Sequence, residues 1–432
     1  MDRHTLLTAF GLFAGFLLLY GLTARSEIQV SDEAATFATG ISLATQGDLA
    51  IDELQWLQDA VNIGQPGRDG HLYAKYFPGN VLSVAVVYRL VAVPDRPYFW
   101  NGKDFAPSEF GARLALKLNA FLGAAALSVL FFALRERLAW APAVITVVLF
   151  GVGTDWWYQS RGFLSEVGAG LFLLTSIWLA LRDNAAGSSF ALGLSLLFRP
   201  TNLLGMAPWA LAVWRDWRRR WPAVVWIGAG LAGLAAYNWI RYRSIINFGY
   251  ADEQFTTQPL VGLYGALLSP GRSLFLYSPL LLLAIPGAWL WHRREPAFST
   301  GVSATVLGYI LSIAMWHSWE GGWAWGSRLL TPVVPVLGLL CGPVIERMLH
   351  TRVLWLPVIA LTATGVVIQL LALARDPLAV MITQVAAGQV PFEDTLFTLE
   401  RSWVALHSNS LSTWTVCDVD AHTLKSVLGC LP

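Results

Sequence analysis

The sequence predicts an all-α, polytopic bundle of about eleven membrane-spanning helices, and three observations lead there. Only 13% of the 432 residues are charged while 55% are hydrophobic; a soluble domain carries about 25% charged residues. Uncharged runs of membrane-spanning length recur from end to end. The arginines, finally, gather on alternate connections between those runs, as a fixed orientation in a bilayer requires. A chain with so little polar surface is not a soluble Rossmann or TIM-barrel enzyme. A net charge of +1 without a basic stripe argues against a nucleic-acid partner. Three cysteines without a CxxC or Cys/His cluster give no zinc-finger or dithiol motif.

The first run, 5–24, is 20 residues long and uncharged, longer than a signal-peptide core, and Leu22-Thr23-Ala24 is a poor cleavage site. It reads as an uncleaved signal anchor. Further spans are expected at 118–134, 138–154 and 164–181, the last starting beside Glu166. The run 185–214 is too long for one span and is cut by Arg199-Pro200. Proline does not continue a helical hydrogen-bond ladder cleanly, so two short helices are expected, 188–198 and 200–214. Spans at 221–240, 273–292, 296–319, 329–345 and 353–374 complete the bundle.

The basic residues test this count. With a cytoplasmic N-terminus the inner connections are 1–4, 135–137, 182–187, 215–220, 293–295 and 346–352, which hold twelve arginines against six acids. A single helix over 185–214 would throw Arg218-Arg219-Arg220 to the other side. The apolar stretch 79–93 contains Arg89 and breaks the alternation if counted as a span, so it is expected to lie in the outer interface. The outward connections are then 25–111, 155–163, 241–272 and the turn at 317–328. The expected domains are a transmembrane region over 1–374 and an extracytoplasmic tail over 375–432. Long aromatic, acid-bearing loops on one side place the chemistry outside a cell membrane. Cys417 and Cys430 both fall in the tail, where a disulfide would persist; the sequence leaves their pairing open.

Five outward segments carry candidate residues, each with a plainer alternative. Ser31-Asp32-Glu33 opens a short amphipathic helix, with Ser31 as its expected N-cap and Ala34, Phe37, Ala38 and Ile41 at helical spacing. Asp32 and Glu33 either complement the helix dipole or, desolvated against the membrane, gain basicity. Lys75, set between Tyr73 and Tyr76, is either a phosphate ligand or a snorkelling lysine in an aromatic belt. Glu166 at the outer end of a span needs a cationic partner, as an ion pair or as a second acidic site with Glu33. Tyr264 through Ser273 holds a Pro-Gly turn, Arg272 and a capping Ser273, either an anion site or a cap beside a snorkelling arginine. Trp316 through Arg328 packs four tryptophans with Glu320 and Arg328 into 13 residues. Indole faces pack on sugar C–H faces and carboxylates accept from hydroxyls, so Tyr264, Trp319, Glu320 and Trp323 are the expected sugar or acceptor contacts. His317 reads as structural.

In their order along the chain these segments resemble the GT-C glycosyltransferases. The likeness is strongest to the dolichyl-phosphate-mannose protein mannosyltransferase and lipid A aminoarabinose transferase branch. It covers roughly residues 1–345 and rests on four features. These are the Asp-Glu pair after the first span, Lys-Tyr-x-Pro-Gly at 75–79, the Gly-Leu-Tyr-Gly-x-Leu-x-Ser-Pro-Gly-Arg-Ser run at 262–273, and Trp-Gly-Ser-Arg at 325–328. The resemblance implies a GT-C bundle with interfacial helices in the first outer loop. It implies an inverting transfer from a polyprenyl-phosphate sugar, at the extracytoplasmic face, to an acceptor the sequence does not identify. Asp32 then maps onto the general base and Lys75, with Tyr76 beside it, onto the phosphate site. Glu166 stands where many relatives carry aspartate, which leaves open whether it orients a divalent cation or binds acceptor. Charge chemistry adds Arg272 and Arg328 to the donor phosphate. A transporter or lipid flippase is the alternative. It would want ionisable groups at mid-membrane, where Arg199 is the exception, and symmetric halves, of which no repeat is visible.

Overall fold

The computed structural model describes residues 2–25, 27–91, 98–100, 103–105, 109–214, 216–250 and 253–430. The expected helices end at 93 and include a connection with Arg215; residues 92–93 and 215 lie outside the described set. Among the described residues six helices are long and apolar enough to cross a bilayer: Arg3–Leu22, Arg113–Arg135, Trp221–Tyr242, Pro296–Met315, Arg328–His350 and Arg352–Ala374. The other expected spans are shorter or broken: Trp140–Gly153, Glu166–Leu181, Ala185–Phe198, Met206–Trp214 and Ala284–Arg294.

The breaks follow proline. Arg199 is extended at φ −153° and ψ 118°, and Pro200 opens a 3-10 turn, Pro200–Gly205, before Met206–Trp214. The expectation of one continuous span over 273–292 is corrected. The segment is a four-residue helix Leu274–Tyr277, a 3-10 turn Pro279–Leu283 and a helix Ala284–Arg294. Pro279 supplies no N–H and pushes Ser278 out of the helical region, to φ −140° and ψ 66°.

Helix Val334–His350 lies at the centre of the bundle, buried continuously from Val334 to Ile345. Arg3–Leu22 and Val224–Tyr242 lie outside it and expose Phe10, Leu18, Trp226 and Ile240, as lipid-facing helices do. Ala185–Phe198 and Val224–Tyr242 cross with backbones touching: a Cβ at Gly193 would overlap the Trp226 carbonyl, and one at Gly230 the Gly193 carbonyl. Small residues permit this approach where no hydrophobic effect drives helices together.

The described part of the connection between Arg3–Leu22 and Glu109–Arg135 is folded. Helix Ser31–Thr45 packs on helix Pro78–Val91, the expected interfacial helix, with Gly40 against Val84. Two expectations change here. Val30, not Ser31, is the N-cap, and its carbonyl accepts from the amides of Glu33 and Ala34 at 3.1 Å. The helix is also buried on nearly all sides from Glu33 to Ser42, so it is packed into protein and does not lie on a lipid surface. Strands Gly64–Pro66 and Leu72–Ala74 pair antiparallel and deliver Lys75 and Tyr76 beside it. That segment is clamped by Arg241, which donates to the Ala74 carbonyl, and by the Tyr242 hydroxyl, 3.2 Å from the same oxygen.

The tail is a cap of short helices, including Pro377–Met381, Phe392–Phe397, Trp403–Ser410 and His422–Val427. Trp403 and Met381 join Tyr158, Tyr277 and Trp325 in a separate buried cluster. Cys417 and Cys430 form a disulfide. Arg161 ties the tail down through Asp420 at 3.2 Å.

Candidate active site

Asp32 lies in the first turn of helix Ser31–Thr45, where the positive helix end favours a carboxylate. Its Oδ1 accepts from the Tyr76 hydroxyl at 2.7 Å and its Oδ2 from the Arg328 guanidinium. Arg328 also donates through Nε, at 2.9 Å, to Oε1 of Glu166. One guanidinium therefore bridges two acids from separate loops. Glu166 is the first residue of Glu166–Leu181 and fully buried. Arg199, freed from its helix by the proline break, donates to the same Oε1. The other oxygen, Oε2, is buried without a hydrogen-bond partner.

Lys75 Nζ lies 2.5 Å from Glu253 and 5.4 Å over the Tyr250 ring. Glu253 is also 3.9 Å from His317 Nε2. Asp32, Glu166 and Glu253 thus balance Lys75, Arg199 and Arg328. An incoming anion has to displace a carboxylate from a cation here; it does not meet bare charge.

The turn that presents Arg328 is set from below. Gly326, at φ +70°, takes a left-handed conformation beside Asp155. Ser327 donates to Asp155 Oδ2 at 3.3 Å and Ser278 to Oδ1 at 2.9 Å. Burial pushes the Asp155 carboxyl up to about 6 against the pull of those hydroxyls. Asp32 behaves differently. Burial raises its value, but the Arg328 charge and the hydrogen bonds from Arg328 and Tyr76 outweigh it and hold the carboxyl below its ordinary range. The expectation that desolvation makes Asp32 more basic is corrected: the guanidinium wins. Burial, reinforced by the Asp32 negative charge, holds the Tyr76 hydroxyl well above its usual value.

Other expected site residues are placed elsewhere. Glu33 points away from Asp32, because successive side chains on a helix diverge by about 100°. It pairs with Arg25 and accepts from the Phe163 amide at 2.8 Å and the Gln29 amide at 3.2 Å. It joins two loops and is no second acid beside Glu166. Arg272 is buried with its guanidinium 3.8 Å over the Trp403 ring, donating to the Gly322 carbonyl at 2.9 Å. Ser273 does cap the next turn, through the Leu276 amide at 3.4 Å, but four helical residues do not make an anion site. Tyr264 stacks on Phe397 at 6.2 Å and Trp319 leans on the same ring at 5.9 Å. Glu320 accepts from Ser318 at 2.8 Å, and Trp323 is half-buried in a crevice with Arg25, Tyr158 and Leu378. Among the described residues none of these four hydrogen-bonds to Asp32, Glu166 or Arg328. Much of the tryptophan-rich segment anchors the tail: Trp325 is enclosed by Tyr158, Tyr277, Trp403 and His407.

Sequence reading passes over Glu253, Tyr250 and Asp155, and weighs Arg199 either as a transporter signal or as part of a broken helix near an active-site cavity, without assigning it a role in the site. An acid beside tyrosine in an outward loop, and a lone acid ending the 138–154 span, were the available signs. No group of three or more metal-ligating side chains occurs among the described residues. The position between Asp32 and Glu166 where a divalent cation would sit is filled by Arg328, so this donor set does not fit one.

No protein-family model and no curated protein matches the chain. Solved structures do. ArnT from Cupriavidus metallidurans bound to undecaprenyl phosphate superposes with a TM-score of 0.51 and 15% identity, over 98% of this chain and 78% of ArnT. Its apo state gives 0.51 and 16%, over 93% and 74%. At that identity the likeness is one of fold, and it extends into the tail that the sequence motifs left unmatched. The chain is a multi-pass membrane protein with the fold of ArnT.

Proposed function

We propose that this protein is a glycosyltransferase that moves a sugar from a polyprenyl-phosphate donor to an acceptor hydroxyl at the extracytoplasmic membrane face. The observation that carries the reading is the Arg328 bridge between Asp32 and Glu166, beside Lys75, in a fold shared with a protein bound to undecaprenyl phosphate. The donor phosphate takes Lys75 from Glu253 and the outer half of Arg328 from Asp32. Glu166, itself held by Arg199, keeps the rest of Arg328 in place. Asp32, released from its cation, becomes a stronger base only once the donor is bound, which ties proton removal to donor binding.

The acceptor hydroxyl gives its proton to Asp32 and its oxygen attacks the anomeric carbon. The bond from that carbon to the phosphate oxygen breaks, and the polyprenyl phosphate leaves with the electron pair. Lys75 and Arg328 stabilise the added negative charge, commonly the largest catalytic contribution. Attack opposite the leaving phosphate inverts the anomeric centre.

The test is sugar release from a radiolabelled polyprenyl-phosphate sugar by purified protein in detergent. Turnover is expected without a sealed membrane, and Asp32→Asn is expected to lower it about a hundred- to ten-thousand-fold with donor binding retained. Full activity in that variant removes Asp32 as base. Activity only across sealed vesicles identifies a transporter instead.

A further inference from the structure

The helix that carries Asp32 starts without a side-chain cap. Val30, at its N-cap, has no polar side chain to take up a free amide of the first turn. Only a counterpart of the returning half of a capping box is present: Glu33, three residues on, accepts from the Gln29 amide at 3.2 Å. The start of this helix is therefore held by whatever holds Gln29 and Glu33.

Part of that hold comes from the tail. Gln29 is buried, and both ends of its side-chain amide are used. Oε1 accepts from Arg25 at 2.8 Å, and Nε2 donates to Oδ1 of Asp420 at 3.3 Å, across 391 positions. Asp420 is itself fixed. Its amide donates to the Leu373 carbonyl at 2.8 Å and its Oδ2 accepts from Arg161 at 3.2 Å. Arg161 also donates to the carbonyls of Asp420 and Thr23, and its own carbonyl accepts from the Arg25 amide at 3.1 Å. The Cys417–Cys430 disulfide closes the loop in which Asp420 lies. Hydrogen bonds among buried groups thus run unbroken from Asp420 through Gln29 to Glu33, the neighbour of Asp32. Glu27 and Asp376 lie in the field of Asp420, so a negative charge introduced at position 29 is repelled from the tail.

Arg161 alone would suffice to anchor the tail; the Gln29 link reaches further. Asp32 is the second residue of the helix whose start this joint fixes, and its contact with Arg328 needs that start in place. A displacement of about 1 Å near a reacting group costs about a hundredfold in rate.

We propose that Gln29 and Asp420 are positioning residues: the tail grips Gln29 through Asp420, and Gln29 with Glu33 sets the first turn so that Asp32 stays on Arg328. This rests on the reading of Asp32 as base and of Lys75 and Arg328 as the phosphate site.

The experiment measures equilibrium binding of labelled undecaprenyl phosphate to purified full-length protein and, by mass spectrometry, amide hydrogen exchange over residues 31–36. In Gln29→Glu the new carboxylate is pushed off Asp420, Asp32 loosens from Arg328, and the lipid phosphate meets less competition for that guanidinium. Binding should tighten about three- to tenfold, and exchange over 31–36 should quicken. A residue that only supports the fold gives the opposite sign, weaker binding. The gain should be absent once Asp32→Asn is added. The exchanged pair Gln29→Glu/Asp420→Asn restores one donor and one acceptor at the joint and should return both readouts to wild type. Unchanged or weaker binding in Gln29→Glu, a gain that survives Asp32→Asn, or no return in the exchanged pair overturns the proposal. If Gln29→Glu does not fold, Gln29→Met removes the same two hydrogen bonds without adding charge and carries the same expectation. Wild-type protein that binds undecaprenyl phosphate no better than Lys75→Ala counts against the phosphate site and takes this inference with it. With that difference intact, an unmoved Gln29→Glu removes the tail link alone.

Discussion

Replacing Glu253 by glutamine tests the charge exchange at Lys75. In the structure Lys75 Nζ is 2.5 Å from the Glu253 carboxylate, with side-chain exposures of 13% and 17%. Exposed ion pairs contribute about 0–1 kcal/mol, and breaking a buried pair costs about 3–5 kcal/mol. This pair lies between those limits, so about 1–2 kcal/mol of its attraction opposes any phosphate that takes the lysine. Removing it should tighten undecaprenyl phosphate binding about five- to thirtyfold. The assay is equilibrium binding of labelled undecaprenyl phosphate to purified protein, with Lys75→Ala and the Lys75→Ala/Glu253→Gln double variant alongside. The gain should vanish once Lys75 is absent, because there is then no charge for Glu253 to hold. A Glu253→Gln protein that binds the lipid no tighter than wild type refutes the exchange.

Three further outcomes follow from the same geometry. Glu166→Gln leaves Arg199 and Arg328 buried without their shared counter-charge; a loss of about 3 kcal/mol or more should show as a lower thermal midpoint, and an unchanged midpoint would deny the bridge its importance. Asp155 binds its proton more tightly folded, at about 6, than at its ordinary 3.8. Stability should therefore fall as pH rises from about 4 to about 6, by at most about 3 kcal/mol. Asp155→Asn should raise the thermal midpoint at pH 7 and lose that advantage near pH 4, and a pH-independent difference would contradict the burial argument. Cys417→Ser opens a loop whose ends are 13 residues apart; the loss of about 3 kcal/mol of chain constraint should appear as faster proteolysis within the tail, which equal cleavage rates would exclude.

The sequence by itself determined the membrane bundle, the interruption at Arg199-Pro200 and the presence of helices in the segment after the first span, because apolar length, proline and helical spacing act within a few residues of one another. It also singled out Asp32, Lys75, Glu166 and Arg328. Only the tertiary structure decided how they pair. Asp32 meets Arg328 across 296 positions, and Lys75 meets Glu253 across 178. A charged residue in an outward loop shows that it needs a counter-charge, but any of several loops offers one. The choice depends on which helix ends packing brings together. Arg272 and Glu33 show the cost of that ambiguity: both have the right chemistry for a phosphate or catalytic site, and packing turns one onto Trp403 and the other onto Arg25. The tail was illegible for the same reason, since its buried ring cluster exists only where Trp403 meets Tyr158, Tyr277 and Trp325, side chains from loops far away in the chain.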